Sequence, residues 1–267
     1  MSYSTKDQVL ALLFRAGGNF ISGEDASKSM GLSRAAVSTA VRGLREEGYA
    51  IESVTNRGYK LITLPDTITT GTLLAGLSAK RMDRVICLPV TTSTNSCLME
   101  LAQKNAPDGQ VVIAEMQTEG RARTGKHFSS PKGLGIYLSY LIRPDVAGGE
   151  SAFVKDWSFI TKRIGMTVSD VIKDICGISV KIRENELLVN GRKLCGILTQ
   201  TDMEVESGMI RSLIAGIGIN VHRTEGNPGT GDGMTSLDTE TGRSNNRPVI
   251  ACALIDALDD LRTSLSC

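Results

Sequence analysis

Ser33-Arg-Ala-Ala-Val-Ser-Thr-Ala-Val-Arg-Gly-Leu-Arg45 decides how the first part of the chain folds. Ala36, Val37, Ala40, Val41 and Leu44 recur along one helical stripe, while Arg34, Ser38, Thr39, Arg42 and Arg45 fall on the other side. Ser33 stands where an N-cap belongs, and Gly48 closes the pattern. Upstream, Ser22 with Asp25 three residues on reads as a capping box for a short helix ending near Met30-Gly31. Before that, Val9, Leu12, Leu13 and Ala16 make a first helix that stops at Gly17-Gly18. Two short helices joined by a glycine-containing turn are the signature of a helix-turn-helix, whose second helix enters the DNA major groove by its N-terminal end.

Downstream, Ile51, Val54 and Tyr59-Lys60-Leu61 bracket Asn56-Arg57-Gly58, a turn suited to a β-hairpin wing with Arg57 at its tip. Residues 26–45 carry Lys28, Arg34, Arg42 and Arg45 with no acidic residue, in a chain whose overall balance is 30 basic against 29 acidic residues. Nucleic-acid affinity therefore has to come from this local patch and not from a global field. The spacing predicts a winged helix-turn-helix over residues 1–64, with Ser33, Arg34, Ser38, Thr39, Arg42 and Arg57 as its DNA contacts. A winged helix used for protein contacts, with a solvated basic face, is the other use of such a module.

A length of 267 residues suggests two domains. Leu64-Pro65-Asp66-Thr67 marks the linker, and residues 65–267 form the second domain. The six cysteines show no C-x-x-C pair and no histidine at zinc-finger spacing, so they read as reduced thiols, and no side-chain set is expected to hold a metal. No stretch approaches the roughly 18 apolar residues that a membrane span requires, nor is there a signal core, so a cytoplasmic protein without membrane contact is expected. Thr224 to Gly233, rich in glycine and polar residues, reads as a surface loop.

In the second domain, Val85–Leu88, Val111–Ala114, Gly135–Leu141, Lys181–Arg183, Leu187–Val189 and Leu194–Thr199 read as strands, and Pro248 to about Leu261 as a helix. Thr92-Ser93-Thr94-Asn95 stands at the entrance of a further helix carrying Leu98, Met99, Leu101 and Ala102, where backbone N–H groups favour polar or anionic ligands; ordinary capping accounts for Ser93 and Thr94 as well. Gly120-Arg-Ala-Arg-Thr-Gly-Lys126 gathers three cations between glycines. Two guanidinium forks two residues apart can grip one anionic group, although a solvated basic turn would carry the same residues. The pattern argues against a nucleotide-hydrolysing phosphate loop, because His127 stands where a Ser or Thr hydroxyl is needed, and arginines stand where that loop needs small residues.

The order of pieces, Ser-Thr-Asn at 93–95, Gln-Thr-Glu-Gly-Arg-Ala-Arg at 117–123, Ser-Pro-Lys-Gly at 130–133, Asn-Gly-Arg-Lys-Leu-Cys-Gly-Ile-Leu at 190–198, Gly-Ile-Gly-Ile-Asn-Val at 216–221 and Thr-Ser-Leu at 235–237, resembles a biotin protein ligase. With the N-terminal helix-turn-helix, the chain is similar to the bifunctional subclass that is both biotin ligase and biotin operon repressor. The resemblance implies an α/β (α+β) protein: a winged helix followed by a mixed sheet flanked by helices, with biotin on the sheet and the arginine loop over it. It implies that biotin and ATP give biotinyl-adenylate and pyrophosphate, that a carrier-domain lysine then displaces AMP, and that the partners are operator DNA, a biotin carboxyl carrier domain and a second copy in a homodimer. Position by position, it implies that Ser93, Thr94, Asn95, Gln117, Gly120, Arg121, Ala122, Arg123, Lys193 and Gly196 hold biotin, and that Lys193, Arg121 and Arg123 are catalytic. It also implies that Lys126, Asn185 and Asn220 bind ATP, with Asn185 and Asn220 serving its Mg2+ as well.

Departures from the family fall mainly on the nucleotide side. The arginine loop has Ala122 for a glycine, Lys126 for a third arginine and Phe128 for the usual tryptophan. The family's Lys-Trp-Pro-Asn-Asp is replaced by Ile182-Arg-Glu-Asn-Glu186, and the chain stops where the family usually adds a small β-barrel domain. A regulator that senses biotin, biotinyl-adenylate or another small carboxylate without ligase activity is the alternative these departures point to.

Overall fold

The computed structural model describes residues 3–63, 65–125, 127–143, 157–203, 210–222 and 233–265. Lys126, Leu64, Cys267 and most of the expected loop from Thr224 to Gly233 lie outside the described residues. Two compact units result, Met1–Asp83 and Arg84–Cys267.

In the first unit, α1 (Thr5–Arg15), α2 (Gly23–Met30) and α3 (Arg34–Glu46) precede a hairpin of β1 (Ile51–Val54) and β2 (Gly58–Leu61). Ser4, Ser22 and Ser33 each cap a helix by accepting from the backbone N–H three residues on, which satisfies one of the donors a helix start leaves unpaired. Val9, Leu10, Leu13, Val37, Val41, Leu44 and Leu61 close one apolar core. Tyr59 of β2 exchanges two backbone hydrogen bonds of 2.8 Å with Ile21, adding a third extended segment to the wing. The unit runs past residue 64, where the sequence places its end. Residues 65–83 contribute α4 (Thr70–Gly76) and α5 (Ala79–Met82), and Arg15 of α1 donates to the carbonyls of Leu74, Ala75 (2.8 Å) and Leu77 (3.3 Å) at the end of α4.

The second unit is built on a seven-stranded mixed sheet in the order β3 (Val85–Leu88), β4 (Val111–Ala114), β5 (Gly135–Ile142), β9 (Ile210–Asn220), β8 (Arg192–Met203), β7 (Glu186–Val189) and β6 (Lys181–Arg183). Only β3 and β4 are parallel. Side chains alternate across the sheet, and β5 shows which helix covers which face. Ser139 reaches α6 (Thr94–Gln103) at Thr94 and Asn95, whereas its neighbour Tyr140 donates to Asp259 of α9 (Arg247–Leu265) at 2.5 Å. The face opposite α6 also carries α7 (Trp157–Cys176), whose Thr161 meets Thr199 of β8 at 3.0 Å. A short α8 (Leu237–Thr241) precedes α9. Arg247, at the start of α9, makes a buried two-pronged ion pair with Glu115 (2.9 and 3.1 Å) just beyond the end of β4. Among the described residues no helix is long and apolar enough to cross a membrane.

Candidate active site

The floor of the site is a patch of sheet with its side chains removed. Gly216 and Gly218 of β9 lie opposite Leu198 and Gly196 of β8, all on the face covered by α6. A Cβ at Gly216 would overlap the Asn95 carboxamide, and one at Gly218 would lie 2.5 Å from the Phe128 ring. These glycines let α6 and the arginine loop come down onto the backbone and leave a cavity of about 550 Å³ between them.

One wall is the N-terminus of α6. Ser93 caps the helix, while Thr94 donates to Gln117 through its backbone N–H (2.8 Å) and its hydroxyl (3.0 Å). Asn95 donates to Gln200 (2.8 Å) and to the Leu198 carbonyl (3.2 Å), and Ser139 donates to its carbonyl oxygen at 2.5 Å. Buried polar groups on a cavity wall need such partners, and here they cross-brace α6, β5 and β8. Ser130, the first residue of the Ser-Pro-Lys-Gly motif, joins this set through Gln117, and Ser139 and Gln200 complete it, although no motif in the sequence singled those two out.

The second wall is the arginine loop, closed at its neck like a hairpin. Thr118 and Glu119 donate to the carbonyls of Thr91 and Thr92, Phe128 donates to the Gly120 carbonyl (2.8 Å), and Gln117 bonds Ser130 through backbone (3.1 Å) and side chain (2.8 Å). Gly120 sits at that neck, where a Cβ would collide with the Phe128 carbonyl, so it shapes the loop and does not line the cavity. Beyond the neck, Arg121, Ala122, Arg123 and Phe128 line the cavity.

Across from them stands the β6–β7 turn with β8. Lys193 projects from β8, its Nζ 2.9 Å from Glu186 and 5.9 Å from the centre of the Phe128 ring. Glu186 also accepts from Arg183 at 3.3 Å, and Arg123 reaches Glu184 at 2.8 Å. The Glu186 carboxyl is held below its ordinary range, chiefly by the hydrogen bond from Lys193, with the charges of Lys193 and Arg183 adding and partial burial opposing. Glu184 and Glu186 therefore face the site as partners of its cations. Of the four cations on the lining, Arg121 is the one whose guanidinium has no carboxylate partner among the described residues. A cavity with a polar braced end and a cationic end suits a small molecule that carries a carboxylate at one end and hydrogen-bonding groups at the other.

The structure thus brings Ser93, Thr94, Asn95, Gln117, Arg121, Ala122, Arg123, Asn185, Lys193 and Gly196 to one cavity and leaves Gly120 and Asn220 off its lining. The Asn185 amide donates to the Ile197 carbonyl (2.8 Å), and the Asn220 amide to those of Thr235 (3.1 Å) and Lys193 (3.5 Å), so both fasten walls of the site. Among the described residues no three metal-ligating side chains converge, and the two lining carboxylates already hold cations. A protein-built Mg2+ site does not fit them. In the first unit, Ser33, Arg34, Ser38, Thr39 and Arg42 share the exposed side of α3, while Arg57 lies over the Phe20 ring at 4.3 Å.

The family model described as the biotin/lipoate A/B protein ligase family matches residues 87–220, and a helix-turn-helix domain model matches residues 5–60. The bifunctional ligase/repressor BirA of Bacillus subtilis is 36% identical over 225 residues, covering 84% of this chain and 67% of its own. The protein of the same name from Escherichia coli is 30% identical over 254 residues, covering 94% and 74%. Among solved structures, the biotin protein ligase of Aquifex aeolicus in complex with biotin and ATP matches with a TM-score of 0.56 and 25% identity, over 68% of this chain and 72% of that one.

Proposed function

From the premise that the chain belongs to the biotin/lipoate A/B protein ligase family, we propose that it joins biotin to ATP, passes the biotinyl group to a carrier-domain lysine, and represses transcription through its helix-turn-helix. One observation carries the catalytic half: Arg121, Arg123 and Lys193, far apart in sequence, line a single cavity whose other end is the braced polar wall of Thr94, Asn95 and Gln117. Biotin carries a cyclic urea, with two N–H donors and a carbonyl, at the end opposite its carboxylate. A lipoyl or fatty acid would set hydrocarbon against the same buried polar groups and leave them without partners.

In the first half-reaction the carboxylate oxygen forms a bond to the α-phosphorus of ATP, and the bond to pyrophosphate breaks. Two anions must meet, so fixed cations at the reacting oxygens lower the barrier most. Arg121, having no carboxylate partner among the described residues, receives the biotin carboxylate, and Lys193 supplies positive charge where the phosphoryl oxygens gather. The loop then excludes water from the mixed anhydride until the amine of the carrier lysine attacks its carbonyl carbon and AMP leaves. In the first unit α3 enters the major groove, and a second copy reads the other half of a two-fold operator.

A second reading, a biotin-sensing regulator without ligase activity, draws on the pairing of Lys193 and Arg123 with Glu186 and Glu184, which phosphates would have to displace. The protein is to be incubated with biotin, labelled ATP and a carrier domain. Pyrophosphate release and carrier labelling, both abolished by Lys193→Ala and by Arg121→Ala, are expected of the ligase. Tight biotin binding with no pyrophosphate would establish the regulator instead, and failure to bind biotin would refute both.

A further inference from the structure

Of the four basic residues in segment 26–45, three are already engaged. Glu24, one turn before Lys28 on α2, takes Lys28 on one carboxylate oxygen (2.8 Å) and Arg34, the first residue of α3, on the other (2.5 Å). Arg45 folds back onto the wing, donating to the Ile51 carbonyl at 2.7 and 3.0 Å and to the Ser53 hydroxyl at 2.6 Å. Arg42 alone of the four makes no ion pair or hydrogen bond with another described residue. It lies one turn beyond Ser38 and Thr39, on the exposed face of α3.

We infer that Glu24 is a specificity-determining residue of the DNA-binding module. By occupying Lys28 and Arg34 it withholds two cations from phosphate, so that affinity for DNA of arbitrary sequence stays low, with Arg42 left to meet phosphate and discrimination left to the short side chains of α3. The inference rests on the DNA-binding reading above. Its physical basis is that sequence-independent affinity comes almost wholly from counterions released by Lys and Arg on phosphates, while base contacts carry the specificity. Glu24 stands at the start of α2, and Arg34 at the start of α3, the recognition-helix end that approaches DNA. Both pairs are more than half exposed on their cationic side, so each is weak enough to be tuned and close enough to persist.

The test is the salt dependence of binding to a random-sequence duplex, measured on the full chain for the wild type, Glu24→Gln, Arg42→Ala and the double variant Glu24→Gln/Arg34→Ala. Gln keeps the length and helix compatibility of the side chain, and thermal unfolding checks that the variants remain folded. Each phosphate contact contributes about 0.9 to the slope of log K against log salt. Glu24→Gln is therefore expected to steepen the slope by about 1.8 per protomer and to tighten binding roughly tenfold or more near 0.1 M salt. Adding Arg34→Ala returns about half of that gain, and Arg42→Ala flattens the wild-type slope by about 0.9. A wild type that binds the duplex with a slope and affinity that Glu24→Gln leaves unchanged overturns the role of Glu24 while sparing the DNA-binding reading. A wild type with no measurable duplex binding even at low salt overturns both.

Discussion

The same chemical change, one added methyl, is expected to have opposite effects at two glycines of the second unit. At Gly216 an ideal Cβ overlaps the Asn95 carbonyl oxygen and lies 2.8 Å from its Cγ and 2.9 Å from its Nδ2. Asn95 has nowhere to go: it is only 4% exposed and is tied to Ser139, Gln200 and the Leu198 carbonyl. Gly216→Ala must either strain a packed contact, at about 1–3 kcal/mol, or break buried hydrogen bonds at about 1 kcal/mol or more each. About 2 kcal/mol of stability should be lost. Because Asn95 lines the cavity proposed to hold biotin, biotin affinity should also fall at least tenfold, about 1.4 kcal/mol. At Gly165, inside α7, the nearest atoms to a new Cβ are those of Ile182 and Ile197 at 3.6 to 3.8 Å, which is ordinary contact. Replacing glycine by alanine in a helix gains roughly 0.5–1 kcal/mol, so Gly165→Ala should stabilise by about 1 kcal/mol and leave biotin binding unchanged. Urea unfolding and calorimetric titration with biotin read both quantities. A Gly216→Ala protein with wild-type stability and affinity, or a Gly165→Ala protein destabilised to the same degree, would refute the reasoning from close approach.

Two further outcomes follow from paired charges. Arg247→Ala leaves Glu115 buried without its two-pronged partner, so urea unfolding should show a loss of about 3–5 kcal/mol; a loss below about 1 kcal/mol would mean that the pair does not hold α9 to the sheet. The depressed Glu186 carboxyl stabilises the fold fully above its unfolded value near about 4.3, and that contribution disappears as pH falls through the lower folded value. The unfolding free energy of Glu186→Gln should therefore fall less steeply than that of wild type as pH drops from about 5 to 3, and parallel curves would sink the assignment.

Local signals carried much of this fold. The bounds of β3, β4 and β6 coincide with apolar or alternating runs between turn residues, and the serine caps at 22 and 33 with the starts of two helices of the winged helix. The expected strand Leu194–Thr199 proved to be the middle of a longer β8, because its pairing with β9 continues to Met203. The 20-residue α7 went unread, although Ile160, Ile164, Val168 and Ile172 recur every four residues. Its buried stripe is made of β-branched residues, which suit strands as well as helices, so periodicity and propensity conflict there. Residues 65–83 pack with the first compact unit, past the boundary expected at Leu64-Pro65-Asp66, because a turn signal does not reveal which core the following helix will join.

In the site, what was legible was motif, and what was not was contact at long range. Gln200 braces Asn95 from 105 residues away, and Ser139 does so from 44, with nothing in either neighbourhood to announce it. The charges show the same limit more sharply. Counted along the sequence, Lys28 and Arg34 add to a basic patch, and Glu184 and Glu186 look hostile to an anionic ligand. In space, Glu24 cancels part of that patch, and the two carboxylates hold cations in the cavity that a ligand must win. At an exposed pair such as Arg123–Glu184 the partner is worth only about 0–1 kcal/mol, whereas Lys193 and Glu186 are both partly buried. The triphosphate of ATP, with more charge and more acceptor oxygens, can therefore displace Glu184 from Arg123, whereas a singly charged DNA phosphodiester has no such advantage over Glu24. The pair at Arg123 then favours a phosphate-bearing ligand over a free acid, while Arg121, which has no carboxylate partner among the described residues, remains open to the acid itself.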